Sequence, residues 1–197
     1  MIKAYFNQKA AIWDETIAKR DATKLERMAR RLNIKPGFTI LDVGTGTGTF
    51  IPFLLNETGK KGQIVALDFA EEMLRKARAK GANGNVAYLH ADVTNIPLGE
   101  EVFDIVVCYS SFPHFRDKPR ALAEIKRVTK SGGELLICHT SSRAKINQIH
   151  RQIPAVASDI IPDEGEMQIM LSTAGFTEIK IDDNSESYLA KARKPIS

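Results

Sequence analysis

Cysteine is scarce in this sequence. The 197 residues include two cysteines, Cys108 and Cys138, and each lies inside an apolar run. Two such thiols exclude the disulfide-dense framework that holds small secreted domains together. We therefore predict buried, free thiols in a protein of a reducing compartment.

Long apolar segments and runs of one charge are also missing. The N-terminal residues 1–5 begin no long apolar segment, so neither a signal peptide nor a membrane span is expected. The net charge is only +4. The short basic cluster at 191–194 is interpreted as part of a solvated terminal strand. We expect a cytoplasmic protein, monomeric or homodimeric, with no nucleic-acid or membrane partner.

Glycine is concentrated at one informative place. The apolar stretch 39–43 leads into three alternating glycines, Gly44, Gly46 and Gly48, and then into a second apolar run. Glycines let the backbone turn sharply and let a ligand approach the main chain, and a helix that starts there offers unpaired N–H groups. A following apolar stretch ends in Asp68, which can accept hydrogen bonds from both hydroxyls of a ribose. The combination predicts an adenosine-binding unit.

The spacing of the glycines distinguishes between adenosine ligands. A dinucleotide-binding turn has the pattern G-x-G-x-x-G, but here Thr49 stands where the third glycine belongs. Asp42 precedes the turn, where a carboxylate would repel a pyrophosphate but suits a sulfonium or an amino group. The segment 41–48, Leu-Asp-Val-Gly-Thr-Gly-Thr-Gly, resembles the first motif of the class I S-adenosylmethionine-dependent methyltransferases. The resemblance implies S-adenosylmethionine as cofactor and S-adenosylhomocysteine as product. A turn that binds no ligand is the structural alternative.

Helical and strand-like patterns alternate along the rest of the chain. Residues 3–32 are expected to be helical in two pieces that part near 19–21. We predict further helices at 48–56, 70–80, 119–129, 143–152 and 163–174, and strands at 39–43, 63–68, 86–91, 103–109, 134–139, 176–182 and 188–193. The last two strands form a hairpin across a tight polar turn.

This order of elements predicts the fold. Near-continuous apolar strands separated by helices imply a parallel sheet that is covered on both faces. We predict an α/β fold with a single doubly wound, Rossmann-like domain over residues 1–197. Its mostly parallel, seven-stranded sheet ends in a C-terminal antiparallel hairpin, as in the methyltransferases that the chain resembles. Residues 1–33 are expected to form an N-terminal helical cap, and 140–165 an insertion on the substrate side.

The resemblance also assigns residues to the cofactor at the carboxyl ends of the strands, where open α/β sheets bind ligands. It implies Asp68 on the ribose, Phe69 against the adenine, and Asp92 with the backbone N–H of Val93 on the adenine edge. Met73 either flanks the adenine or packs in the core, and the segment 108–115 passes beneath the methionine moiety. The predicted cofactor-binding residues are Asp42, Gly44, Thr45, Gly46, Gly48, Asp68, Phe69, Met73, Asp92, Val93 and Tyr109.

Three histidines raise the question of a base or a metal. Methyl transfer needs an aligned acceptor, and a base helps where the acceptor must lose a proton. His114 follows the strand 103–109 at the edge of the site and is the candidate catalytic base, with an ordinary loop histidine as the alternative. His139 is expected to share the acceptor pocket. A metal site of His114, His139 and His150 is a further alternative, but their spacing matches no metal-binding signature and we predict no metal.

Three aromatic residues, Tyr5, Phe6 and Trp13, gather near the N-terminus. A helix that carries them either packs on the sheet or forms a lid over cofactor and acceptor that excludes water. We predict the lid, because methyltransferases that the chain resembles often begin with such a segment.

The sequence therefore predicts transfer of a methyl group from S-adenosylmethionine to a small-molecule acceptor. The chain is similar to the branch that includes ubiquinone and menaquinone C-methyltransferases, but it lacks a large substrate domain, which favours a small or flat acceptor. Two functional alternatives remain: an oxidoreductase that binds a nicotinamide dinucleotide, and a non-catalytic module that binds S-adenosylmethionine.

Overall fold

A seven-stranded sheet runs through the centre of the computed structural model, which describes residues 2–16, 22–82 and 85–196. The strands are β1 (Thr39–Val43), β2 (Gln63–Asp68), β3 (Val86–His90), β4 (Phe103–Tyr109), β5 (Thr129–His139), β6 (Thr177–Asp183) and β7 (Tyr188–Arg193). Their order in the sheet is β3-β2-β1-β4-β5-β7-β6. The first five strands in this order pair in parallel, and β7 is antiparallel to both β5 and β6. The predicted α/β fold with a C-terminal antiparallel hairpin is confirmed.

Helices cover both faces of this sheet. They are α1 (Ile2–Lys9), α2 (Trp13–Thr16), α3 (Ala22–Arg31), α4 (Ile51–Thr58), α5 (Glu71–Ala79), α6 (Lys118–Val128), α7 (Arg143–Arg151) and α8 (Glu164–Thr173). Because side chains alternate along a strand, Leu41 of β1 packs with α6 and α8 on one face, whereas Ile40 packs with α3 and α4 on the other. None of these helices is both long and apolar enough to cross a bilayer. Cys108 and Cys138 are buried free thiols on opposite faces, as predicted for their burial.

The strand order places a crevice beside β1. The chain first builds outward from β1 to β3 and then returns to place β4 on the other side of β1. Parallel strands whose connections lead in opposite directions leave an opening between them at their carboxyl ends. The ends of β1, β2 and β4 therefore define the position of a ligand site before any side chain is considered.

Local sequence sets several helix boundaries. Asp117, Ser142 and Asp163 cap α6, α7 and α8 by accepting hydrogen bonds from backbone N–H groups of the first turn. Asp163 and Glu166 form a complete capping box. The helix predicted from residue 48 begins instead at Ile51, because Gly48 has a φ of +75° and belongs to the preceding turn.

The described N-terminal helices pack at two different places on the sheet. The predicted first helical piece is divided into α1 and α2, and the predicted break near 19–21 lies outside the described residues. Side chains of α1 pack with Ala70 and Met73 at the carboxyl edge of the sheet, whereas α3 packs with α4 on one face. The insertion after residue 140 consists of α7, a 3-10 turn at Pro154–Val156 and a loop leading to α8. Val156 of this turn packs in the same cluster as α1.

One strand boundary differs from the prediction for a steric reason. The fifth strand was expected from residue 134, with two glycines closing the preceding helix, but that helix ends at Val128 and β5 begins at Thr129. The register with β4 shifts between Phe103 and Ile105, so the glycines lie in an irregularity inside the strand. An added Cβ on Gly133 would lie 2.8 Å from the carbonyl oxygen of Asp104. Glycine here allows close strand approach and does not end a helix.

Candidate active site

A cavity of about 450 Å³ lies at the carboxyl ends of the central strands, which is a common size for a small-molecule site. Residues after β1, β2, β3 and β4 form its floor, and α1 and α2 contribute to its cover. Of the residues predicted from the sequence, those that line it are Phe6, Trp13, Gly44, Gly46, Asp68, Phe69, Met73, Asp92, Val93 and His114. The predicted residues that lie outside its lining are Tyr5, Asp42, Thr45, Gly48, Tyr109 and His139.

The three glycines of the turn have three different roles. An added Cβ on Gly44 would lie 2.4 Å from the Cβ of Ser111, so glycine lets the ends of β1 and β4 approach each other. Gly46 has a φ of +57°, and an added Cβ there would meet no atom within 4 Å, because it would project into open space at the cavity. An added Cβ on Gly48 would lie 3.1 Å from the Cβ of Ala77 on α5. Only the first two glycines border the cavity, and Gly48 serves the packing of a helix.

Asp68 ends β2 at the floor of the cavity and is held by the backbone on both sides. One carboxylate oxygen accepts from the N–H of Gly46 at 2.8 Å, and the other accepts from the N–H of Ala70 at 2.8 Å. Burial raises the pKa of Asp68 to about 6, although these backbone hydrogen bonds act in the opposite direction. A carboxylate has further lone pairs beyond these two, so it can still accept hydrogen bonds from a diol.

A second acid lies directly behind the glycine turn. Asp42 is 1% exposed, and one of its oxygens accepts from the hydroxyl of Thr45 at 2.6 Å. Burial raises the pKa of Asp42 to about 7, the hydroxyl of Thr45 opposes the rise, and the charge of Asp68 adds to it. Two buried acids beneath one turn favour a cationic ligand and disfavour a pyrophosphate. This chemistry fits the sulfonium and ammonium groups of S-adenosylmethionine.

The cavity beyond Asp68 has the shape and chemistry for a flat ring. Phe69 and Met73 line it, and the ring of Phe6 lies 6.0 Å from that of Phe69. Asp92 is exposed at its edge, and its Oδ1 accepts hydrogen bonds from the backbone N–H and the hydroxyl of Thr94. The other oxygen of Asp92 is the one that could bind an exocyclic amine, beside the buried Val93.

The end of β4 differs from the prediction. Tyr109 does not line the cavity; its ring stacks on Phe50 at 4.3 Å on the face covered by α3 and α4. Ser110 follows in the left-handed region, with a φ of +54°, and Ser111 donates to the carbonyl oxygen of Val43 at 2.6 Å. Both serines line the cavity; the sequence reasoning placed their segment at the site but did not single them out. Their signal was their position immediately after the strand, where the chain must turn toward the crevice.

His114 lies in a 3-10 turn at one wall of the cavity and is surrounded by three side chains. Its Nδ1 lies 2.8 Å from a carboxylate oxygen of Asp159. Its ring centre is 4.9 Å from that of His150 and 5.1 Å from that of Phe6. The sequence reasoning missed Asp159, which comes from the loop after α7.

His139 lies apart from His114 and His150. His139 is buried at the end of β5, where its ring lies 6.3 Å from that of Tyr188. The structure therefore brings His114 and His150 together but does not bring His139 to them. Within residues 2–16, 22–82 and 85–196, no three His, Cys, Asp or Glu side chains are grouped so that they could hold a metal ion.

The segment of α1 and α2 is attached to the rim of the site by polar contacts. Asp14 accepts from the hydroxyl of Thr47 at 2.6 Å and pairs with Lys80 at 2.8 Å. The side chain of Asn7 accepts from the backbone N–H of Glu72 at 3.1 Å. Phe6 and Trp13 face the cavity, while Tyr5 packs edge-on against Phe6. The segment thus has the placement expected of a lid.

Comparison with known proteins gives consistent results. Residues 41–137 match the family model described as a methyltransferase domain. A ubiquinone/menaquinone biosynthesis C-methyltransferase of Shewanella piezotolerans is 30% identical over 177 residues, which cover 85% of this chain and 66% of that protein. Across such curated relatives, the chain spans between 60% and 79% of their length.

Solved structures extend the likeness over nearly the whole chain. An S-adenosylmethionine-dependent methyltransferase of Aquifex aeolicus is 26% identical, with a TM-score of 0.75 and coverage of 95% of this chain and 97% of that one. A methyltransferase of Haloferax volcanii, solved with the methyltransferase activator Trm112, shares the fold at a TM-score of 0.80 and 21% identity, with coverage of 96% and 97%.

Proposed function

The chain belongs to the class I S-adenosylmethionine-dependent methyltransferases, and we propose that it methylates a small-molecule acceptor with His114 as the base. The observation that carries the proposal is the single cavity that joins Gly46 and Asp68 at one end to His114 at the other. A cofactor held at the first end would have its acceptor beside the imidazole.

S-adenosylmethionine is the cofactor of this family, and the residues present suit it. We assign the ribose to Asp68, the adenine to Phe69, Asp92 and the backbone of Val93, and the methionine portion to the open space at Gly46. Asp42 contributes through its charge, since it lies behind the turn and has no surface in the cavity. Thr45 supports Asp42 through its hydroxyl. The two buried acids also count against a nicotinamide dinucleotide.

His114 and the lid provide the chemistry on the acceptor side. Bound S-adenosylmethionine supplies an electrophilic methyl group, and the electron pair of the broken S–C bond stays on sulfur as the bond from methyl to acceptor forms. His114 takes the proton that the acceptor loses, on the ring nitrogen that Asp159 does not hold. Phe6 and Trp13 exclude water and position the acceptor for in-line attack.

The walls on this side indicate the type of acceptor. Ile2, Phe6 and Phe115 give the cavity apolar walls, and the ring of Phe6 lies 5.1 Å from that of His114. A cavity of about 450 Å³ that must also hold the cofactor favours a small acceptor. We propose a small, flat acceptor that carries an ionisable group. The curated relatives act in ubiquinone and menaquinone biosynthesis as C-methyltransferases, so hydroxylated aromatic rings come first in a substrate search.

Two measurements test the proposal. Calorimetry should show micromolar binding of S-adenosylmethionine, about −8 kcal/mol, and no binding of NADH. Release of S-adenosylhomocysteine is then followed over a panel of phenols, catechols, amines and thiols. Binding without release by any acceptor would favour a non-catalytic module, and binding of NADH alone would contradict the cofactor assignment.

The role of His114 is tested with the best acceptor of that panel. His114→Gln should lower kcat by about 100-fold while the Kd of S-adenosylmethionine stays unchanged. Lys24→Gln, a change of an exposed residue on α3 outside the cavity lining, is the control and should leave kcat unaltered. If His114→Gln raises KM and leaves kcat intact, His114 only lines the pocket and the assignment as base is wrong.

A further inference from the structure

We propose that Asp159 is the positioning residue of His114: it holds the Nδ1–H of the imidazole and so reserves Nε2 for the proton of the acceptor. The claim that Nε2 takes the proton of the acceptor rests on the proposed function of His114. The claim that Asp159 keeps the hydrogen on Nδ1 does not. Asp159 lies outside residues 41–137, the segment that matches the methyltransferase family model, so that match does not point to it.

The contact between the two side chains has the geometry of a strong hydrogen bond. Nδ1 of His114 and Oδ2 of Asp159 are 2.8 Å apart, and their side chains are only 14% and 18% exposed. A carboxylate can only accept, so Nδ1 must carry a hydrogen whenever this contact is made. In the neutral ring Nε2 is then the basic nitrogen.

His150 holds Asp159 from the other side. Its Nδ1 donates to the backbone carbonyl oxygen of Asp159, and its ring lies beside that of His114. Burial lowers the pKa of His150, and the nearby His114 lowers it further, while its hydrogen bond to Asp159 opposes the shift. A neutral His150 can make this bond and adds no positive charge beside the base.

The backbone on each side of His114 is also fixed. The ammonium group of Lys118 donates to the carbonyl oxygens of Pro113 and Phe115, each at 3.0 Å. The imidazole is therefore attached to a turn that cannot rotate freely, and the carboxylate of Asp159 selects among its remaining side-chain orientations. Restricting a catalytic group in this way is a source of rate enhancement.

The loop that carries Asp159 is in turn packed against the lid. Val156, three residues earlier, is buried in one cluster with Ile2 and Phe6 of α1. Phe6 also contacts the ring of His114 edge-on. Closure of α1 and orientation of the imidazole are thus parts of one packed arrangement, which would complete the base only when the site is covered.

The ring nitrogen that carries hydrogen can be observed directly. Long-range 15N–1H spectra of histidine-labelled protein at pH 8, with S-adenosylhomocysteine bound, distinguish an imidazole with hydrogen on Nδ1 from one with hydrogen on Nε2. We expect the Nδ1–H form for His114 in the wild type. Asp159→Ala, which removes the acceptor, should shift His114 toward the Nε2–H form. Asp182→Asn, a change of an exposed acid on β6, should leave the spectrum of His114 unchanged.

Kinetics supply the second readout. With the acceptor used to test His114, Asp159→Ala should lower kcat by about 10- to 100-fold and leave the Kd of S-adenosylhomocysteine unchanged. Asp159→Asn keeps the shape of the side chain, but its amide can donate to Nδ1 and favour the Nε2–H tautomer, so kcat should fall here as well. A fall in kcat in this isosteric variant, with the Kd of S-adenosylhomocysteine unchanged, excludes loss of folding as the explanation.

Three outcomes would overturn the inference: an Nε2–H imidazole in the wild type, a doubly protonated His114 at pH 8, or an Nδ1–H form that persists in Asp159→Ala. A failure of the proposed function would look different. The ring nitrogen would respond to Asp159 as expected, but His114→Gln would leave kcat intact.

Discussion

Replacing Asp42 by asparagine should stabilise the free protein at alkaline pH and weaken its binding of S-adenosylmethionine. In the unfolded chain this carboxyl has its ordinary pKa of 3.8, whereas burial raises it to about 7 in the folded protein. Between these values the folded protein keeps a proton that the unfolded chain has released. The stability contributed by the group is therefore complete below pH 3.8 and is lost as the pH rises through about 7.

The size of this loss follows from the two pKa values. The full change is about 4 kcal/mol, of which about 3 kcal/mol falls between pH 5 and pH 8. Asparagine does not titrate and can still accept the hydrogen bond from Thr45. The free energy of unfolding of Asp42→Asn minus that of the wild type should therefore be about 3 kcal/mol larger at pH 8 than at pH 5. For a chain of this length, that corresponds to about 6–12 °C in Tm.

Urea denaturation of the cofactor-free protein at pH 5 and pH 8 measures the effect. Glu100→Gln, a change of an exposed acid, is the matched control. Calorimetry at pH 8, where Asp42 of the wild type is ionised, should show that Asp42→Asn binds S-adenosylmethionine at least about tenfold more weakly, because the buried charge that favours its cationic groups is gone. At pH 5, where the wild-type carboxyl keeps its proton, the two affinities should be closer. If the stability difference between Asp42→Asn and wild type is equal at the two pH values, Asp42 is ionised at no unusual cost and the electrostatic reasoning is wrong.

Three further outcomes are expected. The added methyl group of Gly46→Ala meets no protein atom, so this variant should abolish cofactor binding while its left-handed φ lowers the free energy of unfolding by only about 1–2 kcal/mol. Gly48→Ala, whose Cβ would meet Ala77, should lower Tm more and leave the cofactor affinity of the folded protein intact. Asp68→Asn should weaken cofactor binding at least about tenfold in calorimetry. The affinity of the wild type should also decrease as the pH is lowered past 6, because the ribose needs the carboxylate form of Asp68, whose pKa is about 6. Lys80→Met breaks the contact with Asp14 and should increase hydrogen exchange in residues 2–16, with a rise in the Kd of S-adenosylmethionine of no more than about fivefold. Unchanged exchange in that variant would show that the contact does not hold the lid.

The sequence predicted the centre of the sheet well because β1, β2 and β4 are local apolar runs. The parallel core needs residues such as Ile40 and Leu41 to be buried on opposite faces, and that requirement is visible in the run itself. The start of β5 was not predictable in this way. Thr129 is part of the strand because it pairs with Phe103 of β4, and no local pattern specifies that partner.

The residues that line the cavity beside β1 and β2 could be predicted from the local sequence, and their role toward a cofactor stays a prediction. The glycine turn and Asp68 are close in sequence to the strands that position them. Tyr109, predicted to bind the cofactor, lies outside the cavity lining. The chain reverses at Ser110, with its φ of +54°, where Ser111 approaches Gly44 after β1, and no local pattern specifies that approach. Asp159 lies 45 residues from His114 and carries no periodic signal, so its partner could be found only in three dimensions.

The two ends of the cavity therefore differ in the elements that form them: strand ends at one, and a helix, a turn and a loop at the other. In the proposed function the cofactor binds at the ends of β1 and β2, two inner strands that the sheet requires. The acceptor end is assembled from α1, the turn that carries His114 and the loop that carries Asp159, which contact one another through Phe6 and Val156. These segments lie outside the strands, so their side chains can vary while the cofactor stays in place. The proposed function thus assigns specificity for the acceptor to residues that the fold itself does not require, which is how one sheet can serve many methyl acceptors.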